Sequence, residues 1–194
     1  MIARVHTVIA NTAPVASLVT QMRDDFERIV RPATGCTGGL VLVDETTATV
    51  LAVSLWDDNI DIAAFPALPI PATATERDDA SGVYDVSFSG RTLGAAMARV
   101  TVVSLTPDPD SIDRGIHLFM NSSMMHATAQ GGFRRGLLLV DRATNRAITI
   151  GLWESQAAIE AGEASGYSQS QLALYAEFIA APPTQFIATV ALED

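Results

Sequence analysis

A chain that matches itself at a fixed offset builds one supersecondary unit twice, and no other feature of this sequence narrows its fold as far. Ala3-Arg4-Val5 recurs as Ala98-Arg99-Val100, an offset of 95, and a two-residue difference in the following loop moves the offset to 97. There Gly39-Leu40-Val41-Leu42-Val43-Asp44 returns as Gly136-Leu137-Leu138-Leu139-Val140-Asp141. Leu55-Trp56-Asp57 returns as Leu152-Trp153-Glu154, and Gly35 falls on Gly132.

Both halves carry the same signals. A β-branched strand (5–10, 100–105) precedes a helix whose start is marked by Pro14 or by Pro109-Asp110-Ser111. A glycine-rich turn leads to a hairpin with arms 40–43 and 49–56, or 137–140 and 147–153. A further segment leads to a last strand, 83–88 or 185–192. The stretch 63–82, with Pro66, Pro69 and Pro71, is too proline-rich for a regular long helix, whereas 169–181 is a good one. Val15, Leu18, Val19, Met22, Phe26, Ile29 and Val30 form one apolar stripe at helical spacing, enough to cover one face of a sheet. The hairpin strands are apolar at nearly every position, so their other face needs burial too. The expected fold class is therefore α+β: a ferredoxin-like βαββαβ module duplicated in one chain, its two antiparallel sheets packed as an α+β barrel. The expected modules span residues 1–93 and 94–194.

Composition excludes several alternatives. A 194-residue chain with 48% hydrophobic residues can build a sizeable core. No apolar run reaches the roughly 18 residues of a membrane-spanning helix, and the N-terminus lacks a signal-peptide pattern, so a cytoplasmic protein is expected. Its 12 basic residues, all arginine, stand against 22 acidic ones, and a net charge of −10 argues against nucleic acid or an anionic membrane as partner. Cys36 is the single cysteine, so disulfides cannot support the fold, and in a glycine turn without an evident base it reads as inert. Gly35-Cys36-Thr37-Gly38-Gly39 lacks the Lys-Ser/Thr ending of a phosphate loop. The acidic pairs Asp57-Asp58 and Asp78-Asp79 give no clear ligand set, so no metal is expected.

The glycine-led strands GGLVLVD and RGLLLVD and the strand ends LWDD and LWES resemble the antibiotic biosynthesis monooxygenase-like group of the dimeric α+β barrel superfamily. The likeness covers both halves. It implies a barrel that relatives assemble from two chains, so one fused chain is expected as a monomer or a homodimer. The group includes quinone-forming monooxygenases without cofactors, haem-degrading enzymes and small isomerases. Haem-degrading relatives carry a histidine after the tryptophan; none follows Trp56 or Trp153, so the resemblance implies no cofactor here.

Transferring the helix stripe at offset 97 turns Leu18 into Gly115, Phe26 into Ser123 and Ile29 into His126. Three large side chains become small or polar, leaving volume to be refilled or kept as a cavity, so a pocket for a small apolar or aromatic ligand is expected in the second half. Its candidate substrate-binding residues are Ser123, Trp153 and Trp56, with Trp packing at a strand end as the plain alternative. The candidate catalytic residue is His126, as general base on an acidic phenol, or else a helix-end histidine held by the dipole. Function divides between a cofactor-independent monooxygenase or related enzyme acting on an aromatic or polyketide-like molecule, and a non-catalytic ligand-binding or interaction protein.

Overall fold

The computed structural model describes residues 1–65, 67–77, 80–90 and 93–194; Pro66, Asp78 and Asp79, invoked above, lie outside them. The chain divides into two compact units, Met1–Asp85 with Ala188–Asp194, and Val86–Ile187.

The first unit runs β1 (Ile2–Ala10), α1 (Val15–Asp25) continuing into a π turn (Phe26–Val30), β2 (Cys36–Asp44), β3 (Thr49–Trp56), a 3-10 turn (Ile62–Ala64), β4 (Ala74–Glu76) and the first part of β5 (Gly82–Ser89). The second takes the rest of β5, then β6 (Met97–Ser104), α2 (Pro109–Leu118), a π turn (Phe119–Ser123) and α3 (Met124–Thr128). It goes on through β7 (Phe133–Asp141), β8 (Arg146–Trp153), α4 (Gln156–Ala164), α5 (Tyr167–Tyr175) and a 3-10 turn (Ala176–Phe178) into β9 (Thr184–Glu193), whose last residues belong to the first unit. The strands are hydrogen-bonded in the order β3-β2-β9-β6-β8-β7-β5-β1-β4, with β3 paired again to β1. This is the α+β class expected from the sequence.

Registers agree at the offsets read from the sequence. Ala3 pairs with Leu55 in β1–β3, and Ala98 with Leu152 in β6–β8, both antiparallel. The β2–β3 ladder slips between Cys36 and Gly38, and the β7–β8 ladder slips between Phe133 and Arg135. A left-handed residue closes each hairpin turn, Ala48 at φ 54° and Asn145 at φ 52°. The Cβ crowds the following carbonyl in both, but asparagine meets this cost better than alanine because its short polar side chain can hydrogen-bond the local backbone. Ala48→Asn is therefore expected to raise the stability of the first unit by roughly 0.5–1 kcal/mol, measured as an upward shift of the urea midpoint.

The hairpin strands are buried on both faces, β3 at all of its positions. Leu18, Met22, Phe26 and Val30 of the predicted stripe are buried in the first core with Val8, Val41, Val50, Ala52, Trp56 and Leu68. The second unit's corresponding cluster is smaller: Val103, Ile112, Leu138, Val140 and Ala147.

The described residues of 63–82 contain no α-helix, as the prolines require. The helix expected at 169–181 stops early: α5 ends at Tyr175 and the 3-10 turn Ala176–Phe178 follows, while a separate helix, α4 (Gln156–Ala164), precedes it. Ser155 caps α4, its side chain accepting from Ala158 N–H, and Gly166 at φ 77° breaks the run between them. Among the described residues no helix is long and apolar enough to cross a membrane.

Candidate functional site

The second unit holds a cavity of about 200 Å³ between its helices and the face of its sheet that they cover. Side chains alternate across a strand, so one face of β8 presents Ala147, Thr149, Gly151 and Trp153 to it, and β6 presents Arg99, Thr101 and Val103. Gly136, Leu138 and Val140 of β7 complete the sheet side. The helical side is Ile112, Gly115, Ile116, Phe119 and Ser123, with Gln171, Leu172 and Tyr175 of α5.

The cavity exists because of small residues at positions that are large in the first unit. Leu18 and Phe26 are 1% and 0% exposed in the first core; Gly115 and Ser123 occupy the equivalent positions. The Phe26 ring lies over Gly39 so closely that a Cβ there would come 2.3 Å from its Cζ. Over the matching Gly136 stands Met124, whose Cε would be 2.6 Å from such a Cβ. Met124 thus takes the place directly above the glycine that the tip of the Phe26 ring takes in the first unit. The first unit is closed further by Phe65, whose ring is 5.2 Å from that of Trp56. There Arg4 also donates to the Phe65 carbonyl at 3.0 Å, and His6 Nδ1 lies 3.0 Å from Glu76 Oε1.

One corner of the cavity is polar. Ser123, 5% exposed, hydrogen-bonds both Gln171 and Tyr175. Gln171 Oε1 only accepts, so the Ser123 hydroxyl donates to it and accepts from the Tyr175 hydroxyl. Burial holds the Tyr175 phenol above its ordinary pKa of 10.0, against the smaller opposing effect of the Ser123 bond. The phenol is therefore a neutral donor at physiological pH. Because the folded chain holds this proton more tightly than the unfolded one, its contribution to stability is complete below pH about 10 and is lost as pH rises above that. An ultraviolet titration of the wild type minus Tyr175→Phe is expected to place the Tyr175 midpoint above 10.

Among the described residues that line the cavity, Arg99 is the one with a charged side chain. It is tied to Glu163 at 3.3 Å and donates to Gln185 Oε1 at 3.0 Å. Gln185 Nε2 in turn donates to Thr101 Oγ1 at 3.3 Å. Apart from the Ser123 corner, Thr149 and this Arg99 group, the described wall is apolar.

Of the candidate residues, Ser123 and Trp153 lie together on the cavity wall. Trp153 meets Phe133 edge to face, ring centres 5.1 Å apart. Trp56 is elsewhere, at 0% exposure in the first unit's core, its Nε1 donating to Ser54 Oγ at 2.8 Å. His126 is exposed and off the wall, its Nδ1 2.8 Å from the Ser122 carbonyl. The buried arc is Ser123, Met124 and Ala127, and at about 100° per residue His126 sits roughly 110° from its centre. Spacing of i, i+3 put Ser123 and His126 on adjacent sides of the helix, not on the same wall. Cys36 is half-buried, and desolvation pushes its thiol above the ordinary value, in keeping with an inert residue. Gly151, Gln171 and Tyr175 were not picked out from the sequence. The signals were a serine-to-glycine change at offset 97 and two polar residues at i, i+4 within an expected helix. Among the described residues no group of three or more His, Cys, Asp or Glu is placed to hold a metal ion.

No family model matches the chain. An uncharacterized protein of Mycobacterium tuberculosis is 24% identical over 166 residues, 81% of this chain and 73% of that one. Among solved structures, a protein provisionally described as a monooxygenase, from Fusobacterium nucleatum, matches all of this chain and 93% of its own at a TM-score of 0.71 and 13% identity. An anthrone oxidase-like protein matches at 0.65 and 14% identity, over 100% of this chain and 92% of that one. An uncharacterized ferredoxin-fold protein of Listeria monocytogenes, described as related to antibiotic biosynthesis monooxygenases, matches at 0.57 and 13%, over 96% and 95%. These matches cover nearly the whole chain, and the chain has the ferredoxin-like α+β fold of the antibiotic biosynthesis monooxygenase-like proteins.

Proposed function

We propose that the second unit is a small-molecule site that binds a compact aromatic phenol and oxidises it with dioxygen without a cofactor. The observation that carries the reading is the largely apolar cavity of about 200 Å³ with a polar corner at Ser123, Gln171 and Tyr175. An apolar cavity of about 150 Å³ takes up benzene, so this one suits one or two fused rings. It is smaller than the roughly 300 Å³ at which drug-sized sites begin. The fold shared with proteins described as monooxygenase-related and anthrone oxidase-like supports the oxidative part. In the reaction a phenol with a free para carbon takes up one dioxygen molecule. One oxygen atom becomes the quinone carbonyl, and the other leaves as water with the ring and hydroxyl hydrogens. The reading gives His126 no part, because a general base must reach the proton it takes.

A second reading, a binding protein without chemistry, is favoured by one observation. Among the described lining residues there is no carboxylate or imidazole, and the Tyr175 proton is held more tightly than usual, so these residues offer no base suited to a phenol near neutral pH. An oxygen electrode with 1-naphthol decides between them. The oxygenase reading expects about one dioxygen consumed per quinone formed and no peroxide. Binding without oxygen uptake above the buffer rate would leave the binding protein.

A further inference from the structure

Resting on the reading of this cavity as a ligand site, we infer that α5 is a lid that lifts off the cavity to admit the ligand and is latched shut by the Ser123 hydroxyl. Each of α1 to α4 places at least two residues in buried positions, Ile159 and Gly162 in the case of α4. Among the described side chains of α5, none is buried. Its half-buried ones, Gln171, Leu172 and Tyr175, are the ones that line the cavity. The inner face of α5 thus rests largely on a void, and lifting it uncovers little apolar surface, which is the main term that holds a helix in place.

What ties α5 down is polar and concentrated at one point. Ser123, on the π turn after α2, hydrogen-bonds Gln171 and Tyr175, which stand four residues apart and so on one face of α5. Two neutral hydrogen bonds are a weak hold, and a helix held this way opens locally while the rest of the unit stays folded. Elsewhere α5 packs most closely on α4 and on the 3-10 turn Ala176–Phe178, its neighbours along the chain. The joints on either side differ in kind. Gly166, just before α5, has φ 77°, and a Cβ there would meet nothing within 4 Å among the described residues, so this joint is uncrowded. Beyond α5 the chain is fixed again. Phe178 is buried, its carbonyl accepts from Thr106 N–H at 3.0 Å, and Ile179 bridges to Leu105. Movement is therefore confined to the stretch between Gly166 and Phe178.

α4 and α5 are both nine residues long, so each serves as the other's control in hydrogen–deuterium exchange of the full chain. A helix this short does not keep its backbone bonds in water once off its support, so lid opening exposes its amides. The helix-bonded amides of residues 171–175 are expected to exchange at least tenfold faster than those of 160–164, and at a rate that low urea leaves unchanged while it speeds 160–164. Ser123→Ala removes both ties and is expected to speed 171–175 at least fivefold, the worth of one neutral hydrogen bond. Tyr175→Phe removes one tie, keeps the ring, and is expected to speed them about threefold. In the wild type, 1-naphthol at a hundred times its dissociation constant is expected to slow 171–175 about a hundredfold, because the open form releases it. Exchange of 171–175 as slow and as urea-dependent as that of 160–164, or unmoved by both variants, overturns the lid and leaves the ligand site. So does bound 1-naphthol that fails to slow these amides. No binding of 1-naphthol overturns the ligand-site reading and the lid with it.

Discussion

Gly115→Leu is expected to remove aromatic binding from the second unit while leaving the protein folded and slightly more stable. Gly115 faces the cavity from α2, at the position where the first unit has Leu18 at 1% exposure. A Cβ at Gly115 would meet only the Phe178 ring, at 3.5 Å, an ordinary contact, so the backbone need not move. The rest of the leucine side chain then extends into the empty volume. Replacing a mid-helix glycine contributes roughly 0.5–1 kcal/mol in helix propensity, and the buried methyl groups add to it. Affinity for 1-naphthol should fall on the order of 100-fold, equivalent to about 2.7 kcal/mol. Calorimetric titration and a thermal melt on the same sample read both effects. Unchanged affinity in a folded variant would mean that the ligand sits elsewhere.

Phe26→Ala is expected to destabilise the first unit by about 3–5 kcal/mol, the usual cost of deleting a fully buried phenylalanine. Its ring is 0% exposed and lies against the Gly39 backbone, with Leu18, Met22, Val30 and Trp56 in the same core. The matching Ser123→Ala replaces a hydroxyl beside a cavity with a methyl group. It should cost only about 1 kcal/mol, chiefly through the bonds to Gln171 and Tyr175. Urea denaturation of the two variants measures the contrast. Similar losses for both would mean that the two helix positions are packed alike and that the second unit holds no real void.

The likeness between the two halves was legible because it rests on spacing. Gly39 and Gly136, Trp56 and Trp153, and the turn residues Ala48 and Asn145 keep a 97-residue offset through strands, bulges and turns alike. The cavity was legible from Leu18 and Phe26 giving way to Gly115 and Ser123, since lost volume in a packed core must go somewhere. The polar corner was harder to find. Ser123 meets Gln171 and Tyr175 across 48 and 52 residues, and no periodicity within one helix reports a contact that α5 makes from another element. His126 misled for a related reason: residues three apart on a helix neighbour each other without facing the same way, and the π turn ahead of α3 fixes which of them turns inward. The α4–α5 break was visible in principle at Gly166, a left-handed residue between two runs of good helix formers.

The most direct test is a crystal structure of the full chain grown with saturating 1-naphthol. One ligand bounded by Gly115, Ser123 and Trp153 is expected, with no ligand beside Phe26 in the first unit. A second unit whose own side chains fill that space, or a ligand bound only outside it, would contradict the account.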